Sequence, residues 1–553
     1  MAEHSYLGLF DEFAIMLAVA VSIGFIAIRL KQPLIVAFIA VGILLGPAVL
    51  GLIEHSHSME LLAEFGIALL LFVVGLRLDL NLIRTMGPVS LATGLGQITF
   101  TSLFVFMICK GLGVPTVQAL YIAAAMSFSS TIIIVKLLSD KREIDALHGR
   151  IAIGFLIVQD IMVVVAMIVI TAFGTSGQDA SLTGEVGAVF IKGLLLVALT
   201  GLMIRFVLPK LLIHVAGSSE LLVLFAIAVA IGFAAFSDWI GFSKEVGAFL
   251  GGIALATTAY REAIGARLTS VRDFLLLFFF ISLGAQLNLD TIGAQVPMAI
   301  LLSGFVLIGN PLIVLTIMGT MGFRRRTGFL SGLAVAQISE FSLILAALGL
   351  AVGHINEETV GLITLVALIT IASSTYLILY SHPLFERLAP LLKVFERKHP
   401  FQEERLESNV VTAAPDVIVF GLGRFGSRLA TGLQSNGLNV LAVDFDPLVI
   451  KKGDSLEMDV VYGDAEDPEF LLSLPIHRVR WVVSSIPEER INKTLAAGLL
   501  AEGYEGHLVA TTHLQSQVEE LRKAGFNMVL LPYRDAADQA VDRICQWSGN
   551  KGS

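Results

Sequence analysis

The sequence contains little charge: Asp, Glu, Lys and Arg together make up 15% of its 553 residues, whereas hydrophobic residues make up 56%. This composition excludes a soluble globular domain over most of the length. The formal net charge of −9 is not accompanied by a basic stripe or an aromatic stacking platform, so nucleic-acid binding is not expected. Two widely separated cysteines, Cys109 and Cys545, provide neither a disulfide framework nor the spacing of a metal site.

Long apolar runs, by contrast, recur over the first four hundred positions, and each is long enough to cross the hydrocarbon core of a bilayer. They predict thirteen membrane helices within a membrane domain over residues 1–385. The predicted spans lie near 10–28, 34–51, 59–78, 88–110, 116–138, 149–173, 186–214, 219–237, 243–259, 272–289, 296–320, 327–352 and 357–382. Lys and Arg are concentrated in the loops of one side, which predicts that the N-terminus lies outside and the C-terminal region in the cytoplasm.

Asp160 lies near the middle of the apolar stretch Phe155–Ile170 and directly follows the neutral Gln159. A carboxylate at that depth costs roughly 2.5–3.5 kcal/mol on insertion scales, so it normally faces a protein interior or a water-filled cavity. Such a group indicates an ion or proton site. The alternative is a structural carboxylate that is hydrogen bonded to a neighbouring helix.

Other polar side chains interrupt the apolar helices. Gln337 and Glu340 lie in the predicted twelfth helix, and Asn310 precedes a proline in the eleventh, where a proline break is expected. The fifth helix contains a cluster of hydroxyl groups, on Ser127, Ser129, Ser130 and Thr131. Ser and Thr in membrane helices often bond to their own turn, so ion binding and back-bonding both remain open for this cluster. Glu340 is either structural or part of the ion path, and Glu64 is expected to anchor a helix end or a neighbouring backbone.

The pattern changes after residue 385. Residues 386–415 are charged and bounded by prolines, which indicates a juxtamembrane helix running into a linker. Residues 416–545 then alternate between short apolar runs and amphipathic segments, which predicts a parallel, doubly wound α/β domain. Its expected strands are Val417–Phe420, Val440–Val443, Asp459–Tyr462, Trp481–Ser484, His507–Thr511 and Met528–Leu531.

A glycine-rich turn follows the first of these strands. Gly421, Gly423 and Gly426 form a G-x-G-x-x-G motif that opens a helix, and Asp444 ends the next strand about twenty positions later. This context predicts a nucleotide site, in which the glycines admit a phosphate group and Asp444 binds the ribose hydroxyls. Arg424 in the turn could pair with phosphate oxygens. The alternative is a Rossmann fold that has lost its ligand.

Two resemblances extend this interpretation. Residues 417–447, which include Phe425 and Asp446, together with the Tyr462–Ala465 strand end, resemble the KTN or RCK N-lobe that regulates potassium channels and transporters. The resemblance implies that Asp464 and Ala465 lie on the adenine side of a bound nucleotide and that the domains pair in a homodimer. AMP, ATP or NAD(H) is expected as the ligand, because the strand Val509–Leu514 lacks the basic residues of glutathione-gated relatives.

The membrane region resembles the Kef-type potassium/proton antiporters of the monovalent cation:proton antiporter-2 family. The matching segments are Ala63–Asp79, Met126–Ile132, Val158–Asp160, Phe278–Gly284 and Gln337–Phe341. The resemblance implies an inverted-repeat fold in which the fifth and twelfth helices are broken and cross at the bilayer midplane, in a homodimer of the bacterial inner membrane. Many relatives have a lysine where this chain has Asn310, which leaves open whether Asn310 is a ligand or a helix cap.

These features predict a non-enzymatic secondary transporter that exchanges K⁺ for protons by alternating access at Asp160 under nucleotide control. With one central carboxylate beside Gln159, exchange is expected to be electroneutral. A Na⁺/H⁺ antiporter of the same fold is the nearest alternative. A nucleotide-gated K⁺ channel is disfavoured because no Thr-Val-Gly-Tyr-Gly filter is present, and a membrane-tethered oxidoreductase because nothing in the membrane region supplies hydride chemistry.

Overall fold

A computed structural model describes residues 9–397 except 48, 53–56, 78–86, 142, 145, 175–199, 216, 259 and 288, and residues 415–549 except 447, 448, 450–457, 468, 469, 472 and 473. The chain forms two compact units. The first comprises residues 1–142, 151–318 and 325–395, and the second comprises residues 143–150, 319–324 and 396–553.

The first unit is helical, as its composition predicts. Its helices are α1 (Leu9–Arg29), α2 (Leu34–Leu45), α3 (His57–Arg77), α4 (Gly87–Gly111), α5 (Thr116–Ser127), α6 (Thr131–Asp140), α7 (Leu147–Gly174), α8 (Leu208–Val215), α9 (Ser219–Trp239), α10 (Lys244–Ala256), α11 (Arg261–Ala285), α12 (Leu289–Gly304), α13 (Asn310–Thr320), α14 (Arg325–Leu333), α15 (Glu340–Ala351), α16 (Glu357–Leu379) and α17 (Ser381–Leu392). The first four residues of α7 belong to the second unit. π-Helical turns at Met203–Val207 and Phe305–Gly309 lead into α8 and α13.

Within the described residues, nine helices are long and apolar enough to cross a membrane, and two shorter apolar helices accompany them. Residues 186–199 of the predicted seventh span, 186–214, lie outside the described residues, so the count of thirteen stays a prediction. The tenth span was predicted from residue 272, whereas α11 begins at Arg261. The reason is that the polar stretch before residue 272 lowers the hydropathy without disfavouring helix.

Two predicted spans are each divided into two helices. α5 and α6 are separated by the extended residues Phe128–Ser130, and α14 and α15 are separated by residues 334–339. Serine hydroxyls cap the second helix of each pair: Ser130 Oγ accepts from Ile133 N at 3.3 Å, and Ser339 Oγ accepts from Phe341 N at 3.1 Å. These caps satisfy N–H groups that a helix start would otherwise leave unpaired. Both spans therefore contain helix ends in their interiors.

Glycines allow several helices to pack backbone to backbone. A Cβ atom on Gly252 of α10 would lie 2.0 Å from the carbonyl oxygen of Phe72 in α3, and one on Gly75 would lie 2.3 Å from that of Phe249. Gly284 of α11 meets α2 in the same way, at Ile39. Small residues at such crossings let membrane helices approach closely.

The second unit contains a six-stranded parallel sheet. Its elements are β1 (Val417–Phe420), α18 (Arg424–Ser435), β2 (Val440–Asp444), β3 (Asp459–Tyr462), β4 (Trp481–Ser484), α19 (Glu489–Ala501), β5 (His507–Thr511), α20 (Val518–Lys523), β6 (Met528–Leu530) and α21 (Pro532–Gly549). The strand order is β3-β2-β1-β4-β5-β6, that of a doubly wound dinucleotide-binding fold. A core of buried apolar residues from β1, β2, β4, β5 and α19 supports it. The predicted fold class, a helical membrane protein with a Rossmann-like domain, is confirmed.

Candidate functional site

Asp160 lies in the middle of α7 beside the start of α6. Its Oδ2 atom accepts a hydrogen bond from Thr131 Oγ1 at 2.9 Å. Both residues are only half-buried, whereas Ser129 and Ser130 in the adjoining break are fully buried. The break thus places a hydroxyl directly beside a carboxylate in the middle of a helix.

Gln159, the residue before Asp160 in α7, also bonds to this break and links it to α4. Its Oε1 atom accepts from the backbone N–H of Ser129 at 2.9 Å, and its Nε2 group donates to Gln97 Oε1 of α4 at 2.6 Å. The Ser129 hydroxyl is buried and has no hydrogen-bond partner among the described residues. Gln159 therefore fixes the backbone of the break through the Ser129 N–H group. The Ser129 hydroxyl takes no part in that bond and is available to bind another group.

The two breaks contact each other directly. Ser339 N donates to Phe128 O at 2.9 Å, and Ser342 Oγ donates to Ala125 O at 2.5 Å. The Nδ2 group of Asn310 donates to a carbonyl of each break, Met126 O and Val335 O, both at 3.3 Å. These bonds satisfy carbonyl groups at the ends of α5 and α14, which carry partial negative charge.

Glu340 and Gln337 lie in or beside the second break, and both are buried. Glu340 Oε2 accepts from Ser339 Oγ at 3.4 Å, while Oε1 has no partner among the described residues. Gln337 Oε1 accepts from Ser374 Oγ of α16 at 2.7 Å, and its Nε2 group is likewise without a partner in that part of the chain. A buried carboxylate oxygen without a partner is costly, so Glu340 is a second candidate for contact with the transported ion.

The remaining predicted residues form local bonds. Ser127 Oγ donates to Ala123 O one turn earlier at 2.7 Å and lies 2.7 Å from Ser102 Oγ, while the Ser130 hydroxyl caps α6. Glu64 accepts from Lys244 Nζ at 2.8 and 2.9 Å. Glu64 was expected to anchor a helix end or a backbone group, but it forms this ion pair between α3 and α10 instead.

Sequence reasoning missed several polar residues of this region. Gln97 and Thr101 of α4, Ser342 of α15 and Ser374 of α16 all donate or accept at the crossing, and all four are buried. In α4 the buried polar residues Ser90, Thr93, Gln97 and Thr101 follow one another at intervals of three or four positions, which places them on one face of the helix. This polar stripe in an apolar helix is the signal that could have found Gln97 and Thr101.

In the second unit, the glycine turn leads from β1 into α18 as predicted. Gly421 has φ +86°, a conformation that favours glycine, and its carbonyl accepts from Ser485 Oγ after β4 at 2.8 Å. Gly423 is exposed at the N-cap of α18, and a Cβ on Gly426 would lie 1.9 Å from Gly421 O. The turn lies between β1 and β4, where the strand order reverses and ligands of this fold bind.

Asp444 closes β2 beside this turn. Its Oδ2 atom accepts from Leu422 N at 2.5 Å and its Oδ1 atom from Asp446 N at 2.8 Å. Burial raises the pKa of the Asp444 carboxyl, against the opposing effect of these N–H donors. Asp446 Oδ1 accepts from Arg150 Nη1 at 2.8 Å within the same unit.

The other predicted nucleotide residues lie around the ends of β1 and β3. Arg424 is exposed and Phe425 half-buried in the first turn of α18. Asp464 follows β3, where its Oδ1 atom accepts from Glu466 N at 2.9 Å, and Ala465 is buried beside it. All of these residues therefore follow the carboxyl ends of β1, β2 and β3.

Comparison with known proteins agrees with both parts of this geometry. Residues 15–379 match the family described as sodium/hydrogen exchanger, transmembrane, and residues 417–532 match the TrkA-N domain. The chain belongs to the sodium/hydrogen exchanger family. Together with the relatives described next, these matches confirm the Kef-type resemblance and the C-terminal RCK/KTN domain, and the chain is a multi-pass membrane protein of a transporter family.

Three curated members of this exchanger family illustrate its range. The chain is 30% identical over 515 residues to the putative K⁺ efflux antiporter KefB of Alkalimonas amylolytica, covering 91% of this chain and 76% of the relative. It is 24% identical over 544 residues to the putative cation/proton antiporter YbaL of Escherichia coli K12, covering 96% of each. It is 32% identical over 365 residues to the iron transporter MagA of Paramagnetospirillum magneticum, covering 66% of this chain and 83% of the relative.

Proposed function

We propose that this protein exchanges K⁺ for protons, with Asp160 carrying the two ions in turn. A protonated Asp160 releases its proton to one side of the membrane. The ionised carboxylate then binds a dehydrated cation, and the loaded site turns to the other side by alternating access. Proton and cation compete because the carboxylate accommodates one positive charge at a time.

The observation that supports this function is the hydrogen bond from Thr131 to Asp160 at the end of a broken helix. Helix breaks at the midplane offer carbonyl oxygens and helix ends to an ion, and Asp160 adds a negative charge. We expect the Thr131 and Ser129 hydroxyls to complete the coordination, since the first already contacts Asp160 and the second has no partner among the described residues. Glu340 is the second candidate carboxylate.

K⁺ is favoured as the substrate because KefB is named as a K⁺ efflux antiporter and aligns over most of this chain. Na⁺ is the alternative, since the family as a whole is named for sodium/hydrogen exchange. The MagA relative makes Fe²⁺ a third ion worth assaying. Two interrupted, crossed helices favour a carrier of any of these ions over a channel.

The test is cation-driven proton movement in proteoliposomes containing a pH-sensitive dye. We expect K⁺ gradients to move protons in the wild type and Asp160→Asn to reduce the signal to that of empty vesicles. Asp140→Asn is the matched control, because Asp140 is an exposed carboxylate at the far end of α6, and it should retain wild-type activity. An active Asp160→Asn protein would refute the carboxylate mechanism, and comparing K⁺, Na⁺ and Fe²⁺ gradients identifies the substrate.

We further propose that an adenine nucleotide, AMP, ATP or NAD(H), binds the second unit and regulates transport. The glycine turn, the start of α18 and Asp444 supply phosphate and ribose contacts in the arrangement typical of this fold. A ribose hydroxyl donates to the ionised form of Asp444. Since burial raises the pKa of that carboxyl, affinity should fall as the pH is lowered through it.

Thermal unfolding of the purified full-length protein tests this proposal, because a ligand that binds the folded state raises Tm. We expect AMP, ATP or NAD⁺ to raise Tm and Asp444→Asn to abolish the shift, since the amide can still accept from Leu422 N but its NH₂ group replaces the oxygen that accepts from Asp446 N and could accept from ribose. Asp538→Asn, on the exposed face of α21, is the control. Equal shifts in wild type and Asp444→Asn would place the ligand elsewhere.

The resemblance also supports a homodimer with a cytoplasmic nucleotide domain. Light scattering of the detergent-solubilised protein should give twice the mass of one chain after the detergent is subtracted. A monomer mass would contradict this expectation.

A further inference from the structure

A chain of buried hydrogen bonds links the two helix breaks through α4. Its side chains are all fully buried in the first unit: Gln159, Gln97, Thr101 and Asn310. Gln159 donates to Gln97 at 2.6 Å, Gln97 Nε2 donates to Thr101 Oγ1 at 3.1 Å, and Thr101 Oγ1 donates to Asn310 Oδ1 at 2.8 Å. We name these four side chains the amide relay.

The direction of the amide relay is fixed at both ends by the backbone. At one end the Ser129 N–H can only donate, so Gln159 must present its oxygen to it. At the other end Met126 O and Val335 O can only accept, so Asn310 must present its NH₂ group to them. Every member between therefore accepts from its predecessor and donates to its successor, and Thr101 is the one member that reaches Asn310 from α4.

This arrangement gives α4 a role that hydropathy alone does not indicate. Without the Thr101 hydroxyl, Asn310 Oδ1 and Gln97 Nε2 would both lose the partner that the structure gives them, in a region closed to water. Asn310 would then be held only by its bonds to the two break carbonyls, and Gln97 only by its bond from Gln159, so both amides would be less firmly fixed. The position of Thr131 relative to Asp160 depends on that break.

We propose that Gln97 and Thr101 are positioning residues of the ion site: through Gln159 and Asn310 they hold both helix breaks in the geometry that binds the cation. The inference rests on the proposed exchange function and adds to it two residues on a helix that does not contain the carboxylate. Neither side chain contacts Asp160 through a hydrogen bond in the described structure, so they act through the breaks.

The decisive experiment compares three substitutions on α4 in the proteoliposome assay. Thr101→Val removes the hydroxyl at nearly constant volume, and with it the two buried hydrogen bonds to Gln97 and Asn310, and should raise the apparent KM for the cation about tenfold or more. Thr101→Ser keeps the hydroxyl and should restore the wild-type KM. Thr99→Val is the matched control, because the exposed Thr99 hydroxyl only donates to Leu95 O of its own helix, and its KM should be unchanged.

A second variant, Gln97→Glu, keeps the shape of the side chain. It therefore distinguishes a role in positioning through hydrogen bonds from a role in packing or folding. In Gln97→Glu, a protonated carboxyl can still accept from Gln159 and donate to Thr101, whereas an ionised one can only accept. Its KM should therefore match the wild type at low pH and rise at high pH by more than the wild-type KM does. Wild-type KM values and pH profiles in both Thr101→Val and Gln97→Glu would overturn the relay. A wild type that moves no protons with any cation would instead refute the exchange function.

Discussion

The Thr131 hydroxyl is the side-chain donor that holds the Asp160 carboxylate at the start of α6. In the proposed mechanism the same hydroxyl would supply one oxygen ligand to a cation bound at that carboxylate. Its loss should weaken the site without removing the charge on which exchange depends.

At the residue scale we accordingly predict that Thr131→Val raises the apparent KM for the cation by about 10- to 100-fold and leaves residual exchange. The magnitude is that of a hydrogen bond to a charged group, about 1.5–3 kcal/mol. Thr131→Ser should stay within a few-fold of the wild type. The matched control is Thr316→Val, because the exposed Thr316 hydroxyl only donates to Leu312 O of its own helix. Complete inactivity of folded Thr131→Val, or an unchanged KM, would contradict the prediction.

Residues differ in how far their roles could be read from the sequence. Asp160, Gly421 and Asp444 were identified because each is unusual in its own segment: a charge in an apolar run, a glycine after a buried strand, an acid at a strand end. For Ser127 and Ser130 the sequence could not distinguish ion binding from intrahelical hydrogen bonding, because both use the same hydroxyl group. Gln97 and Thr101 were missed because their partners lie up to 209 positions away in the sequence.

At the scale of elements, the two interruptions of predicted spans decide the architecture of the site. A serine lies at each break, and its hydroxyl caps the helix that follows, α6 or α15. Each break is therefore encoded by residues close to it in the sequence. The pairing of the breaks is different. It depends on Ser339 meeting Phe128 and on Ser342 meeting Ala125, more than two hundred positions apart, and only the family resemblance predicted that crossing.

The packing of α3 against α10 provides a second prediction for elements. Gly252→Ala places a methyl group 2.0 Å from Phe72 O, so the two helices must separate or shift. We expect a loss of about 1–3 kcal/mol of stability, typical of overpacking, and a lower Tm of the purified protein in detergent. Gly232→Ala in α9 is the control, because nothing lies within 4 Å of the added methyl group and Ala favours helix. A Tm of Gly252→Ala equal to that of Gly232→Ala would show that the helices do not pack this closely.

At the scale of the whole molecule, the charges around the crossing bear on coupling to the membrane potential. Gln159 and Asn310 are neutral, and the carboxyl groups at the crossing are those of Asp160, which is half-buried, and Glu340, which is buried. One proton exchanged for one monovalent cation moves no net charge. We therefore expect the rate of exchange to be independent of the membrane voltage. In the proposed cycle the Asp160 carboxyl is protonated in one half and ionised, with a cation bound, in the other.

We predict that flux under a fixed cation gradient is unchanged when a diffusion potential of either sign is imposed across the vesicles. Recordings on a supported bilayer should likewise show no sustained transport current. A current that reverses with voltage would require a second titrating group, for which Glu340 is the first candidate. Glu340→Gln would then be the variant that abolishes the current.

The amide relay has one consequence for the tightness of coupling. Proton hopping along hydrogen bonds requires each group to take up one proton and release another, and a side-chain amide does not readily do so. Three of the four relay side chains are amides, so we do not expect protons to move along this buried polar path. We therefore expect the relay to hold the two breaks without adding a path along which protons could leak through the interior of the protein.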